Sequence, residues 1–183
     1  MKPLTAIALA SSISLLAACG GDGSSFGQMV TRNQVLSGET GAPVTQVMPT
    51  EGTATYRGVA SFDFSDDFDG PDIMSEAELK ADFASSTISG KLTNFRDHQD
   101  NAMIGEVSVH GAPADGGDFG INGSGFKARL NGDVVYQGKM SEVTGNISGA
   151  FHGADADTVE ALLYEGFVGD DPVTLGIIRA EGP

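Results

Sequence analysis

From Thr53 to Phe64 the chain alternates with period two. Thr53, Thr55, Arg57, Val59, Ser61 and Asp63 fall on one face, and Ala54, Tyr56, Gly58, Ala60, Phe62 and Phe64 on the other. Successive side chains of a β-strand point to opposite sides, so this pattern specifies a strand with one buried face. The alternation returns at Glu76 to Phe83, where Ala77, Leu79, Ala81 and Phe83 oppose Glu76, Glu78, Lys80 and Asp82. Further strands are expected at Thr87 to Phe95, Ala102 to His110, Phe126 to Leu130 and Asp133 to Tyr136, and near 145–151, 159–167 and 173–180. Asn131-Gly132 reads as a two-residue hairpin turn, because both positions of such a turn want positive φ. The one helix expected is a single turn at Ala154 to Thr158.

About eight strands at short spacing, punctuated by turns, predict an antiparallel barrel or sandwich. Gly58, Gly90, Gly105, Gly125, Gly138, Gly149 and Gly176 fall among the expected strands and favour the barrel, since glycine lets a sheet bend where it closes on itself. The expected fold is all-β: a small eight-stranded antiparallel β-barrel over residues 51–183, preceded by a signal peptide and a flexible tether.

The N-terminus has a different character. Lys2 gives a positive start, Leu4 to Leu15 form an apolar run too short for a comfortable membrane span, and Leu16-Ala17-Ala18-Cys19 follows. This resembles the lipobox of bacterial lipoproteins. The resemblance implies a signal peptide over 1–18, removed after a diacylglyceryl group joins the Cys19 thiol, and then acylation of the freed amine. Cys19 is the only cysteine, so it has no disulfide partner within the chain. Each buried methylene contributes about 0.8 kcal/mol, so two or three acyl chains anchor stably where one does not. Gly20, a non-acidic second residue, implies outer-membrane retention. Residues 19–50, rich in Gly, Ser, Thr, Gln and Pro, read as the tether, with Met29-Val30 and Val35-Leu36 as short apolar pieces able to dock on the barrel.

The charge balance narrows the partners. The chain carries 10 Lys and Arg against 25 Asp and Glu, a net −15; removing Lys2 with the signal peptide leaves 9 against 25, or −16. Phosphate recognition needs clustered cations, so nucleic acid is excluded as a partner, as is electrostatic attraction to anionic membranes. Membrane association is expected through the lipid.

Few residues form chemical constellations. Ser65 to Glu76 places Asp67, Asp69, Gly70 and Glu76 close to EF-hand spacing, making Asp67, Asp69 and Glu76 a candidate Ca²⁺ loop. Against it, Ser65 stands at the first position, Asp72 at the usually apolar eighth, and the flanks read as strands. No other cofactor is expected. His98, His110 and His152 lie in separate segments with no His or Cys at ligand spacing, so they read as surface or turn residues. Gly123-Ser124-Gly125 is half of a nucleophile elbow inside a β pattern. No enzyme is expected.

Four stretches together carry a family likeness. They are Gly52-Thr53-Ala54-Thr55-Tyr56-Arg57-Gly58; Ala81-Asp82-Phe83 with Thr87-Ile88-Ser89-Gly90-Lys91-Leu92; Gly145 to Gly153 with Ala156 to Glu160; and Leu175-Gly176-Ile177-Ile178-Arg179. In this order and spacing they resemble the C-terminal β-barrel of transferrin-binding protein B and related surface lipoproteins of the factor H-binding type. The resemblance implies a barrel filled with side chains, anchored at the outer membrane, often displayed on the cell surface, that binds a protein or a haem- or iron-bearing partner. Relatives carry a handle domain before the barrel; residues 20–50 are too short for one, and no partner-contact residue carries over. Contact loops are expected at 65–75, 96–101 and 111–124. Two other readings stand beside this one: an envelope-accessory lipoprotein without a soluble ligand, and a carrier holding a small apolar ligand inside the barrel.

Overall fold

A computed structural model describes residues 23–64, 70–116, 118–136 and 138–182. Its strands are β1 (Thr53–Asp63), β2 (Ile73–Asp82), β3 (Thr87–Asp97), β4 (Ala102–Gly111), β5 (Gly120–Asn122), β6 (Gly125–Tyr136), β7 (Lys139–His152), β8 (Thr158–Val168), β9 (Asp171–Pro172) and β10 (Leu175–Glu181). All pairings are antiparallel, and β10 pairs with both β1 and β8. That double pairing closes β1, β2, β3, β4, β6, β7, β8 and β10 into an eight-stranded barrel. The short β5 and β9 hang from β6 and β8. The expected all-β barrel is the observed fold.

The period-two pattern does its work as read. Tyr56, Ala60 and Phe62 of β1, Ala77, Leu79 and Ala81 of β2, and Phe83 beyond it all enter one interior cluster. An eight-stranded barrel is just wide enough for side chains to fill it. Here Phe151 sits among Tyr56, Phe83 and Phe126, with ring centroids 5.4–5.9 Å apart at tilted angles. The filled interior removes the carrier reading.

Two expectations are corrected. Asn131-Gly132 is not a turn: β6 runs unbroken through it, and Gly132 pairs with Val107 of β4 and Val143 of β7. A Cβ on Gly132 would lie 2.2 Å from the Glu106 carbonyl oxygen, so this glycine serves close strand approach. The reversal comes six residues later, where Gly138 takes φ +78°. The single helical turn expected at Ala154 to Thr158 is instead a non-helical turn, with Ala156 at φ +58°.

The helix lies in the expected tether. α1 (Phe26–Glu39) begins with a capping box: Ser25 Oγ accepts from Gln28 N, and Gln28 Oε1 accepts from Ser25 N. Its apolar side buries Met29 and Leu36 against Val59 and Met74, with Phe26 and Val30 alongside. Val59, assigned by alternation to the polar outer face, is therefore only 1 % exposed. Three polar ties hold α1 and its C-cap to β1, β10 and β8. Arg32 Nη2 donates to the Arg57 carbonyl, Arg179 Nη1 donates to Asn33 Oδ1, and Thr40 Oγ1 donates to the Glu160 carboxylate that Arg179 Nε also grips at 2.6 Å.

Strand direction defines two barrel ends. The β1–β2, β3–β4, β6–β7 and β8–β10 connections share one, called the near end because Gly23 lies towards it. The β2–β3, β4–β6 and β7–β8 connections share the far end, which α1 approaches at its C-terminus.

Candidate functional site

The chain leaving α1 forms a strap at the far end. Thr45 N donates to the Phe151 carbonyl at 2.9 Å, Thr45 Oγ1 to the Gly153 carbonyl at 2.9 Å, and Gly153 N to the Pro43 carbonyl at 3.0 Å. Val44 forms a β-bridge with His152, whose Nδ1 lies 3.0 Å from the Ala42 carbonyl oxygen. Thr45 is buried and Met48 packs against the interior cluster. Pinned in this way, the strap holds two apolar side chains in solvent: Val47 is 80 % exposed and Val44 38 %. They line an open depression of about 570 Å³ with Ala42, Pro43, Gln46, Gly153 and Ala154. An exposed apolar surface on a fixed backbone is a natural contact site, because little conformational entropy is lost on binding.

The rest of the far end supports that surface. Tyr56 Oη donates to the Ala156 carbonyl at 2.9 Å, tying the β7–β8 turn to the interior. Burial, with the Asp157 charge adding to it, pushes the Tyr56 phenol up to about 12, so it stays a neutral donor. Beside the β4–β6 connection, the Arg129 guanidinium of β6 lies 4.3 Å from the centre of the Phe119 ring, and Lys127 of β6 pairs with Asp118 at 3.2 Å. A second hollow of about 260 Å³, lined by Asp118, Asn122, Lys127 and Ser148 among others, opens beside it.

The residues singled out from sequence are dispersed. Cys19, Asp67 and Asp69 lie outside the described residues. Glu76 lies within β2, and its Oε1 accepts from both Ser24 N, at 2.9 Å, and Ser24 Oγ, at 2.8 Å. Among the described residues no cluster of three His, Cys, Asp or Glu side chains is placed to hold a metal ion. His98 sits at the near end, its N–H donating to the Asp72 carbonyl; His110, on β4, faces Asp115 at 3.4 Å; His152 backs the strap. Gly123-Ser124 is the tight turn between β5 and β6, with Gly123 at φ +58°. Of the three expected contact loops, residues 65–69 and 117 lie outside the described residues; 70–75 and 96–101 share the near end, and the described remainder of 111–124 lies at the far end. Sequence reasoning missed the strap, because Pro43-Val44-Thr45-Gln46-Val47 carries no motif and is placed by long-range hydrogen bonds.

These features define a small filled barrel with a helix along its wall and an exposed apolar strap at its far end. Residues 48–162 match the family described as the C-lobe and N-lobe β-barrels of Tf-binding protein B, and the chain belongs to that family. No curated protein is similar enough in sequence to match. Among solved structures, a transferrin-binding protein B vaccine antigen from Haemophilus parasuis shares 20 % identity over 78 % of this chain and 28 % of its own, with a TM-score of 0.47. An intact transferrin-binding protein B with N and C lobes shares 20 % over 76 % of this chain and 28 % of its own, also at 0.47. A protein described as a surface lipoprotein shares 14 % identity, covering 76 % of this chain and 65 % of its own, at 0.40. The chain thus spans little more than a quarter of the two transferrin-binding proteins.

Proposed function

We propose that this protein is an outer-membrane, surface-displayed lipoprotein, held by lipid on Cys19, whose barrel binds a protein or haem-bearing partner and catalyses no reaction. The observation that carries the binding half is the strap: Val44 and Val47 are fixed in solvent by hydrogen bonds from Thr45 and Gly153. The family is one of binding barrels, and loops on a rigid scaffold are where such proteins place recognition. The acidic balance favours a partner with a basic rim around an apolar centre.

The test is a binding titration of lipidated protein against transferrin, haemoglobin and haem, repeated with Val47→Glu. Val47 is exposed, so the substitution leaves the fold intact while placing a carboxylate in the contact. A partner bound by the parent should lose at least about tenfold in affinity. Equal binding by both proteins would move recognition away from the strap. No binding of any of the three by folded protein would favour the envelope-accessory reading.

A further inference from the structure

The near end has an apolar feature of its own. Cross-strand register aligns Ile104 of β4 with Val135 of β6, and Val135 with Met140 of β7. Directly opposed side chains share a face, here the outer one, so the three form a continuous row just below the rim. Ile104 is 76 % exposed and Met140 66 %, and nothing among the described residues covers them. Phe167 and Leu175, also exposed, lie at the same end on β8 and β10.

The chain's route to Cys19 starts beside this row. Asn94, at a β-bulge in β3 with φ +51°, donates through Nδ2 to the Ser24 carbonyl at 2.8 Å, and Gly23 packs on its side chain. The neighbouring strand at that level is β4, around Ile104 and Gly105. Glu76 fixes Ser24 from the other side, and Phe26 N donates to Asp100 Oδ1 in the β3–β4 connection. Four Cα steps separate Gly23 from Cys19, a reach of at most about 14 Å. A lipid on Cys19 therefore holds the near end, and this row with it, against the bilayer.

We propose that the apolar row Ile104–Val135–Met140 docks in the lipid interface, so that the barrel stands on its near end with the strap pointing outward. The proposal rests on lipidation of Cys19. Three side chains are too small a patch to recruit a free protein, but a short leash makes the contact intramolecular, and a weak patch then suffices. A second row sets the depth. Glu106, Asp133 and Glu142 oppose one another two residues further along the same strands, about 7 Å from the apolar row. These carboxylates resist burial and repel anionic headgroups, so contact stops at the rim and the wall stays in water.

The chain has no tryptophan, which makes a direct test available. Ile104→Trp, Met140→Trp and Val47→Trp each introduce a single emitter into lipidated protein reconstituted on phosphatidylcholine vesicles with brominated acyl chains. Emission from positions 104 and 140 should shift to the blue and lose intensity to bromine, while emission from position 47 stays unquenched. If the protein floats with the vesicles and positions 104 and 140 are no more quenched than 47, the docking is wrong and the anchor stands. If the protein does not float with vesicles, the Cys19 reading fails and takes the docking with it.

Discussion

Glu76 accepts both the backbone N–H and the hydroxyl of Ser24 on one carboxylate oxygen, across 52 residues of sequence. This contact ties the start of α1 to the barrel wall and fixes where the leash begins. Charge-assisted hydrogen bonds of this kind contribute about 1.5–3 kcal/mol each, less where water reaches them. Glu76→Ala is expected to lower stability by about 1–2 kcal/mol and to loosen α1 before the barrel. Hydrogen exchange should show protection lost over 24–40 and retained in β6 and β7; uniform loss would mean that α1 and the barrel open as one unit.

The same contact bears on calcium. With Oε1 accepting from Ser24 and the residue inside a strand, Glu76 is poorly placed to serve as the closing bidentate ligand of a Ca²⁺ loop. Millimolar Ca²⁺ is expected to leave Tm unchanged and to give no heat in calorimetry. A rise in Tm that Glu76→Gln abolishes would restore the loop as a metal site.

Tyr56 gives a pH dependence with a definite sign. Its pKa is raised from 10.0 to about 12 on folding, so the native state favours the neutral phenol. Above pH 10 the unfolded chain releases this proton first, and the associated stability, complete below pH 10, is lost as pH rises towards 12. Denaturant midpoints should fall across that window. Tyr56→Phe should flatten that fall and, by removing the hydrogen bond to Ala156, cost about 1–2 kcal/mol near neutral pH. An unchanged alkaline slope would show that other groups govern it.

Two glycines separate backbone demand from propensity. Gly27, exposed in α1 with nothing within 4 Å of where a Cβ would stand, is expected to gain about 0.5–1 kcal/mol when replaced by alanine. Gly132→Ala would set a methyl 2.2 Å from the Glu106 oxygen and should destabilise the barrel by about 3 kcal/mol or more. Thermal melts of the two variants should move in opposite directions; a shared direction would contradict the strand-approach role of Gly132.

Much of the barrel was legible in the sequence because its cause is local. Period-two patterning put Tyr56, Phe62, Leu79 and Phe83 inward, and inward is where they lie. Asn131-Gly132 misled because the dipeptide suits both a positive-φ turn and a strand needing close backbone approach, and only the β4 register decides between them. The helix was readable in part. Ser25-Phe26-Gly27-Gln28 has the form of a capping box and Met29 with Leu36 lies on one face, but glycine, serine and threonine hid a weak apolar stripe. The strap was not readable, because Thr45 finds its partners at Phe151 and Gly153, over a hundred residues away.

Lipid on Cys19 is the premise of the proposed anchor, of the outward-facing strap and of the docked rim. The most direct test is the mass of the N-terminal peptide from protein extracted with the membrane fraction of cells expressing the full chain. Cleavage before Cys19 with a diacylglyceryl group on the thiol is the predicted result. An N-terminus elsewhere, or an unmodified Cys19 thiol on mature protein, would overturn the anchor and the orientation drawn from it.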